Sequence, residues 1–163
     1  MEPQQNINEF RSWHELSEKE RSRVFSGENY GPLPASHAER IEVLLGVKAV
    51  EFEREALKGV PGYSSTATTS FQREESLSLA NCWATAAGIQ AVREWLHARS
   101  VPYSTKVYLL YDEAAVATEW KILVKYWDAF AWCVGVEMLV LDSTKSWVCE
   151  FHHEDVVTFR SYR

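Results

Sequence analysis

The chain has 163 residues, of which 46% are hydrophobic, and a net charge of −6 that arises from 17 basic and 23 acidic side chains. This length suits one domain and the apolar content argues against a disordered chain, so we expect a single globular domain over residues 1–163. Phosphate binding requires clustered Lys and Arg, so the acidic balance argues against a nucleic-acid partner and favours a basic protein.

The sequence lacks the signals of a membrane protein and of a nucleotide-binding protein. No apolar run approaches the roughly 20 residues that a membrane helix needs, and MEPQQNINEF lacks the basic and then apolar pattern of a secretory signal. We therefore expect a cytoplasmic protein without a membrane partner. The glycines form neither GxGxxG nor a Walker loop, so no cofactor is expected. Widely spaced cysteines indicate buried reduced thiols at Cys82, Cys133 and Cys149.

Capping patterns predict two helices in the first 60 residues. Ser17 and Glu20 have the spacing of a capping box, which predicts a helix over 17–26. The pattern repeats at Ser36, where it predicts a second helix that continues toward Gly59. The apolar face of this second helix would hold Ile41, Leu44 and Leu45.

A loop and a long helix are predicted next along the chain. Residues 60–72 are rich in Gly, Ser and Thr and carry no charge, which is typical of a loop. Between Glu74 and Arg99 small and apolar residues recur at helical spacing, which predicts a mostly buried helix. The residues with this spacing are Leu77, Ala80, Ala84, Ala87, Ala91 and Trp95.

The last third of the chain predicts short apolar strands around one helix. Residues 106–112 form an aromatic and aliphatic run that predicts a strand buried on both faces. Three-and-four spacing over 113–130 predicts a helix whose inner face is aromatic. Further strands, joined by short turns, are expected over 136–142, 147–152 and 156–160.

These elements together predict an α+β fold in one domain. The helical N-terminal two-thirds, residues 1–105, would pack on a small, mainly antiparallel C-terminal sheet. Residues 106–163 would supply that sheet as a strand, a helix, a hairpin and a final strand.

The segment SWVCEFHHEDVV, residues 146–157, holds four side chains that can bind metal or transfer protons: His152, His153, Glu154 and Asp155. One interpretation is a small metal-binding domain or a hydrolase with its site at these residues. The other, which we favour, is a polar turn at the end of a strand. Strand alternation directs the two histidines apart, whereas zinc needs three or four converging ligands.

No nucleophile with a supporting pattern accompanies these residues. Cys149 lies in an apolar alternation, and burial raises the pKa of a thiol and makes it inert. Cys82 falls inside a helical pattern and not at its first turn, where a thiol would be activated. The sequence therefore favours a non-enzymatic protein.

Acidic residues of the C-terminal half could form a surface that binds a basic protein. Asp112 and Glu113 stand at a predicted strand-to-helix junction, where capping of the helix is their alternative role. With exposed aromatic side chains among them, such charges would speed association while the rings supply affinity. The candidate partner-binding residues are Asp112, Glu113, Asp142, Glu150, Glu154 and Asp155.

The two segments WKILVKYWDAFAW and SWVCEFHHEDVVTF carry a family resemblance. Their Trp-rich helix, hairpin and polar HHED turn resemble the ending of small bacterial α+β proteins, some of which are similar to immunity proteins of polymorphic toxin systems. The resemblance covers about the last 60 residues. It implies a protein that binds and blocks one cognate toxin, often a basic nuclease, without catalytic residues of its own.

Overall fold

The computed structural model describes residues 9–63, 72–132 and 137–162. The strands over these ranges are β1 (Arg11–Ser12), β2 (Glu42–Leu45), β3 (Arg73–Ser78), β4 (Lys106–Tyr111), β5 (Ala114–Glu119), β6 (Met138–Asp142), β7 (Trp147–His152) and β8 (Val156–Ser161). The helices are α1 (Glu18–Ser22), α2 (Ala35–Ala38), α3 (Val47–Ala56), α4 (Ala86–His97) and α5 (Trp120–Trp132), with a 3-10 turn at Trp13–Glu15.

The eight strands join one antiparallel sheet in the order β1-β2-β5-β4-β6-β7-β8-β3. The strands β4 to β8, which follow one another in the chain, form its centre. Short turns join β4 to β5, β6 to β7 and β7 to β8, and α5 lies between β5 and β6. The earlier strands β1 and β2 extend one edge beside β5, and β3 closes the other edge beside β8. The sheet therefore contains strands from both halves of the chain.

This sheet overturns the predicted fold class. A helical N-terminal two-thirds packed on a small C-terminal sheet is wrong, because β1, β2 and β3 lie within residues 1–105 and the sheet has eight strands. The physical reason is pairing between distant segments. A strand that gains its hydrogen bonds from a distant partner leaves only a weak local signal in its own sequence.

The predicted helix from Ser36 to Gly59 is divided by a strand. Val43 faces one side of the sheet and Leu44 the other, as strand alternation requires, and β2 pairs with β5. Gly46, at φ 76°, then turns the chain from this strand into α3. The second capping box is also wrong, because α2 starts after Pro34 without a side-chain cap.

Two further predicted helices begin later than expected. The segment from Glu74 first forms β3 along β8, and the helix starts only after Thr85, whose side chain accepts a hydrogen bond from the Gly88 amide. The helix predicted over 113–130 likewise starts at Trp120, because the preceding residues form β5. This strand lies between β2 and β4 and is buried on both faces, so it lacks the alternation by which strands are recognised.

The other local predictions of the C-terminal part are confirmed. Strands occupy 106–111, 138–142, 147–152 and 156–161. In the N-terminal part, the capping box of Ser17 and Glu20 is present, although α1 ends at Ser22. Of the predicted loop over 60–72, residues 64–71 lie outside the described residues, as does Cys133.

Helices cover both faces of the sheet. Leu109, Val140 and Cys149 project from successive central strands into a core that α4 and α5 complete. On the other face, Leu139 and Val148 belong to a smaller core with side chains of α3. No helix in the described ranges is both long enough and apolar enough to cross a membrane.

Replacing Gly88 by alanine is expected to lower the free energy of unfolding by about 1–3 kcal/mol, measured by urea denaturation. A Cβ at this position would lie 2.7 Å from the Cys82 Cα and 2.8 Å from the Cys82 carbonyl oxygen, so backbone must shift. Gly31→Ala is the control, because a Cβ there meets nothing within 4 Å and its effect should stay within about 0.5 kcal/mol. Equal stability of Gly88→Ala and the unmodified protein would contradict this close packing.

Candidate functional site

Five carboxylates lie at one end of the sheet. Asp112 and Glu113 form the turn between β4 and β5, and Glu154 and Asp155 lie in the turn between β7 and β8. Glu137 immediately precedes β6. Leu110 of β4 pairs with Leu139 of β6, and Phe151 of β7 pairs with Met138 of β6, so the antiparallel register brings the three segments together. We call Asp112, Glu113, Glu137, Glu154 and Asp155 the acidic end.

Tight turns explain why these segments expose their side chains. Glu113 and Asp155 adopt positive φ values of 58° and 59°, which reverse the chain within a few residues. The Asp155 carbonyl accepts a hydrogen bond from the Leu79 amide at 2.7 Å, and its carboxylate accepts another from the Trp83 indole at 3.2 Å. Asp155 thereby ties the segment before α4 to the end of the sheet.

The charges of the acidic end are not neutralised by the described lysines and arginines. All five residues are exposed. Among the ion pairs of the described ranges, only Glu137 takes part, and its partners there are His152 and His153. The acidic end therefore presents a local excess of negative charge to solvent.

Two of the predicted partner-binding residues do not belong to this surface. Asp142 is 8% exposed and lies at the opposite end of the sheet, where Thr144 and the indole of Trp147 donate hydrogen bonds to it. Glu150 is also 8% exposed and faces inward from β7. The prediction that all six residues form one exposed surface is therefore wrong for Asp142 and Glu150, because both carboxylates are buried and hydrogen-bonded within the fold.

The buried Glu150 is the centre of a partly buried polar network. Arg160 donates to one oxygen of Glu150 at 3.1 Å and to Glu74 at 3.0 Å, and the Tyr63 hydroxyl donates to the same oxygen of Glu150. Burial, followed by the hydrogen bond to Glu150, raises the pKa of Tyr63, so its hydroxyl stays protonated as a donor. The remaining oxygen of Glu150 faces the imidazole of His152, at 3.5 Å.

The two adjacent histidines converge on one carboxylate. His152 Nδ1 lies 4.0 Å and His153 Nδ1 3.4 Å from the same oxygen, Oε1 of Glu137. Strand alternation predicted that they point apart. They converge because β7 ends at His152 and the chain turns at His153, beyond the regular pleat.

The alternative metal site therefore has different residues from those predicted. In the described ranges, Glu137, Glu150 and His152 place ligand atoms within 4.8 Å of one another. Glu154 is not part of this group, and the Asp155 carboxylate is bound to an indole. The sequence signal that could have found Glu137 is the β6–β7 hairpin register, which sets the residue before β6 beside the end of β7.

An aromatic pocket adjoins the acidic end. Trp132, at the end of α5, is 58% exposed, and its ring packs 5.6 Å from that of Trp83. The pocket has a volume of about 250 Å³ and is lined by Leu79, Trp83, Ala131, Trp132, Phe151, His152, His153 and Asp155. Carboxylates and exposed indole thus occur side by side, as in many protein-binding surfaces.

The two described cysteines, Cys82 and Cys149, differ in their surroundings. Cys149 is fully buried, and burial raises the pKa of its thiol far above the ordinary value. Cys82 is partly buried, and its sulfur lies near a backbone carbonyl, that of Ser78. The surroundings of Cys149 favour an unreactive thiol.

Comparisons with protein-family models, with curated proteins and with solved structures find no match. The candidate site is therefore interpreted from its own geometry.

Proposed function

We propose that this protein is a non-enzymatic binding protein that captures a basic partner protein at the acidic end. The observation that supports this proposal is the group of five exposed carboxylates without a described Lys or Arg partner, next to the exposed indole of Trp132. Unpaired carboxylates attract a basic surface over about 8 Å at physiological salt. Trp132 offers the partner a large apolar contact, the kind that dominates binding energy.

A toxin-neutralising role of the immunity type is the more specific form of this proposal. The acidic end and Trp132 all lie in residues 106–163, the part of the chain to which the family resemblance applies. An inhibitor of a basic nuclease needs negative charge that can compete for a phosphate-binding surface. The acidic end has the required sign of charge and lies beside the aromatic pocket.

The test uses the purified proteins encoded by the two reading frames that flank this gene, because toxin and immunity genes are expected side by side. Their association with the full chain is measured by surface plasmon resonance at low and high salt. The test variant combines Asp112→Asn, Glu113→Gln, Glu154→Gln and Asp155→Asn. We expect one flanking protein to bind, and this variant to lower its association rate constant about 10-fold or more at low salt, because electrostatic steering is lost.

The matched control removes four exposed carboxylates from other parts of the surface, through Glu15→Gln, Glu18→Gln, Glu39→Gln and Glu94→Gln. It changes the net charge by the same amount and should leave the association rate within about twofold, since steering depends on local charge. Absence of binding to both flanking proteins would contradict the immunity-type role. Equal slowing by the two quadruple variants would contradict the acidic end as the binding surface.

A further inference from the structure

We propose that Glu137, Glu150, His152 and His153 bind a divalent transition-metal ion of the zinc class. The first three residues already place ligand atoms within 4.8 Å of one another, and His153 reaches the same oxygen of Glu137. This site is distinct from the proposed partner-binding surface in its ligand and in three of its four residues.

Two of the distances between these side chains suit a tetrahedral site. Zinc ligands at about 2.0–2.1 Å from the ion lie about 3.3 Å from one another. His152 Nδ1 lies 3.5 Å from Glu150 Oε1, and His153 Nδ1 lies 3.4 Å from Glu137 Oε1. The longer distance, 4.0 Å between His152 Nδ1 and Glu137 Oε1, requires a movement of the Glu137 side chain, which is 51% exposed.

Glu150 is oriented as a ligand by its surroundings. Tyr63 and Arg160 both donate to Oε2, which leaves Oε1 directed at His152. Partners of this kind fix a carboxylate ligand in metal sites and contribute to affinity. Because Glu150 is 8% exposed, its carboxylate has lost most of its contact with water. A cation beside Oε1 would compensate for that lost hydration.

The local charge matches a doubly charged cation. Glu74, Glu137 and Glu150 carry three negative charges against the single positive charge of Arg160, and the histidines add none when neutral. Two imidazole nitrogens and two carboxylate oxygens suit zinc, nickel or cobalt better than magnesium or calcium, which take mainly oxygen ligands.

A bound ion would connect two separate segments at this end of the sheet. Glu137 immediately precedes β6, whereas Glu150, His152 and His153 come from β7 and the turn after it. Glu137, Glu150 and His152 are already grouped, so the fourth position can be taken by His153 or by water.

The test is isothermal titration of ZnCl₂ into the full chain after treatment with chelator and dialysis. We expect one site with a dissociation constant below about 1 µM, and visible absorption typical of tetrahedral Co²⁺ when cobalt replaces zinc. His152→Ala and, separately, Glu137→Gln should each weaken zinc binding about 100-fold or more, because ligand loss exceeds the 10–100-fold effect of supporting partners. Circular dichroism checks that each variant is folded, and the exposed Glu137 keeps the test valid if His152→Ala does not fold.

Matched controls separate this site from adventitious binding and from the partner-binding surface. His14→Ala removes an exposed histidine elsewhere, and Glu154→Gln removes a neighbouring carboxylate outside the proposed ligand set. Both should retain zinc affinity within about threefold, because neither is a ligand. Binding weaker than about 100 µM in the unmodified protein, or equal affinity in Glu137→Gln, overturns the metal site and leaves the proposal of a basic partner unaffected.

Discussion

Replacing Trp127 by alanine is expected to lower the free energy of unfolding by about 3–5 kcal/mol, measured by urea or thermal denaturation. Trp127 is 0% exposed in the middle of α5. Its ring lies 4.8 Å from that of Trp83 and stacks 6.2 Å from that of Phe151, and its indole nitrogen donates to the Ile89 carbonyl at 3.1 Å. Alanine would leave a cavity between α4, α5 and the sheet and would remove the hydrogen bond from the indole to the Ile89 carbonyl.

Such a loss is a large share of the 5–15 kcal/mol by which domains are usually stable. The control is Trp132→Ala in the same helix. Trp132 is 58% exposed, so its removal should cost less than about 1 kcal/mol. If the two variants had equal stability, the packing of α5 against the sheet by its Trp127 face would be contradicted.

Replacing Arg160 by methionine is expected to lower the free energy of unfolding by about 2–4 kcal/mol. The substitution keeps an apolar stem but removes the cation that lies 3.1 Å from Glu150 and 3.0 Å from Glu74. Glu150, at 8% exposure, would then hold a buried charge without the ion pair that Arg160 supplies. The measurement is urea denaturation at neutral pH.

The double variant Arg160→Met with Glu150→Gln tests the cause. It should be more stable than Arg160→Met alone, because the amide does not leave an uncompensated charge. Arg54→Met is the control for loss of an arginine, since Arg54 is exposed on α3 and forms no ion pair with the described residues. A change below about 0.5 kcal/mol for Arg160→Met would show that the network does not stabilise the fold.

The sequence predicted β4, β6, β7 and β8 well because their signals are local, whereas it missed β5. Trp147, Cys149 and Phe151 alternate with residues of the other face, and short polar turns bound each strand. The edge strand β3 has no such signal: five of its six residues are exposed, and its hydrogen bonds come from β8, 78 to 88 positions further along the chain. The residue pattern of REESLS alone does not indicate that this segment pairs with β8.

The candidate site was predictable to a similar extent. The polar turn at His152 to Asp155 follows from the end of an alternating strand, and the structure confirms a turn after β7. The convergence of His152 and His153 on Glu137 was not predictable, because it depends on the register between β6 and β7 and on the bend after His152. Burial of Asp142 and Glu150 likewise depends on donors from other segments, such as Tyr63 and Arg160.

The strand order has a consequence for the biosynthesis of this protein. A ribosome releases β2 and β3 before β5 and β8, so β2 leaves the exit tunnel with only the short β1 to pair with, and β3 leaves it before its partner β8. The central hairpins can form quickly once they emerge, because their contacts are close in sequence. Nascent chains shorter than about 119 residues should therefore lack the β2–β5 ladder, and the last step should be closure of the β8 edge by β3. β3 begins with three charged residues, Arg73, Glu74 and Glu75. Their charges would limit self-association of this segment before it pairs with β8.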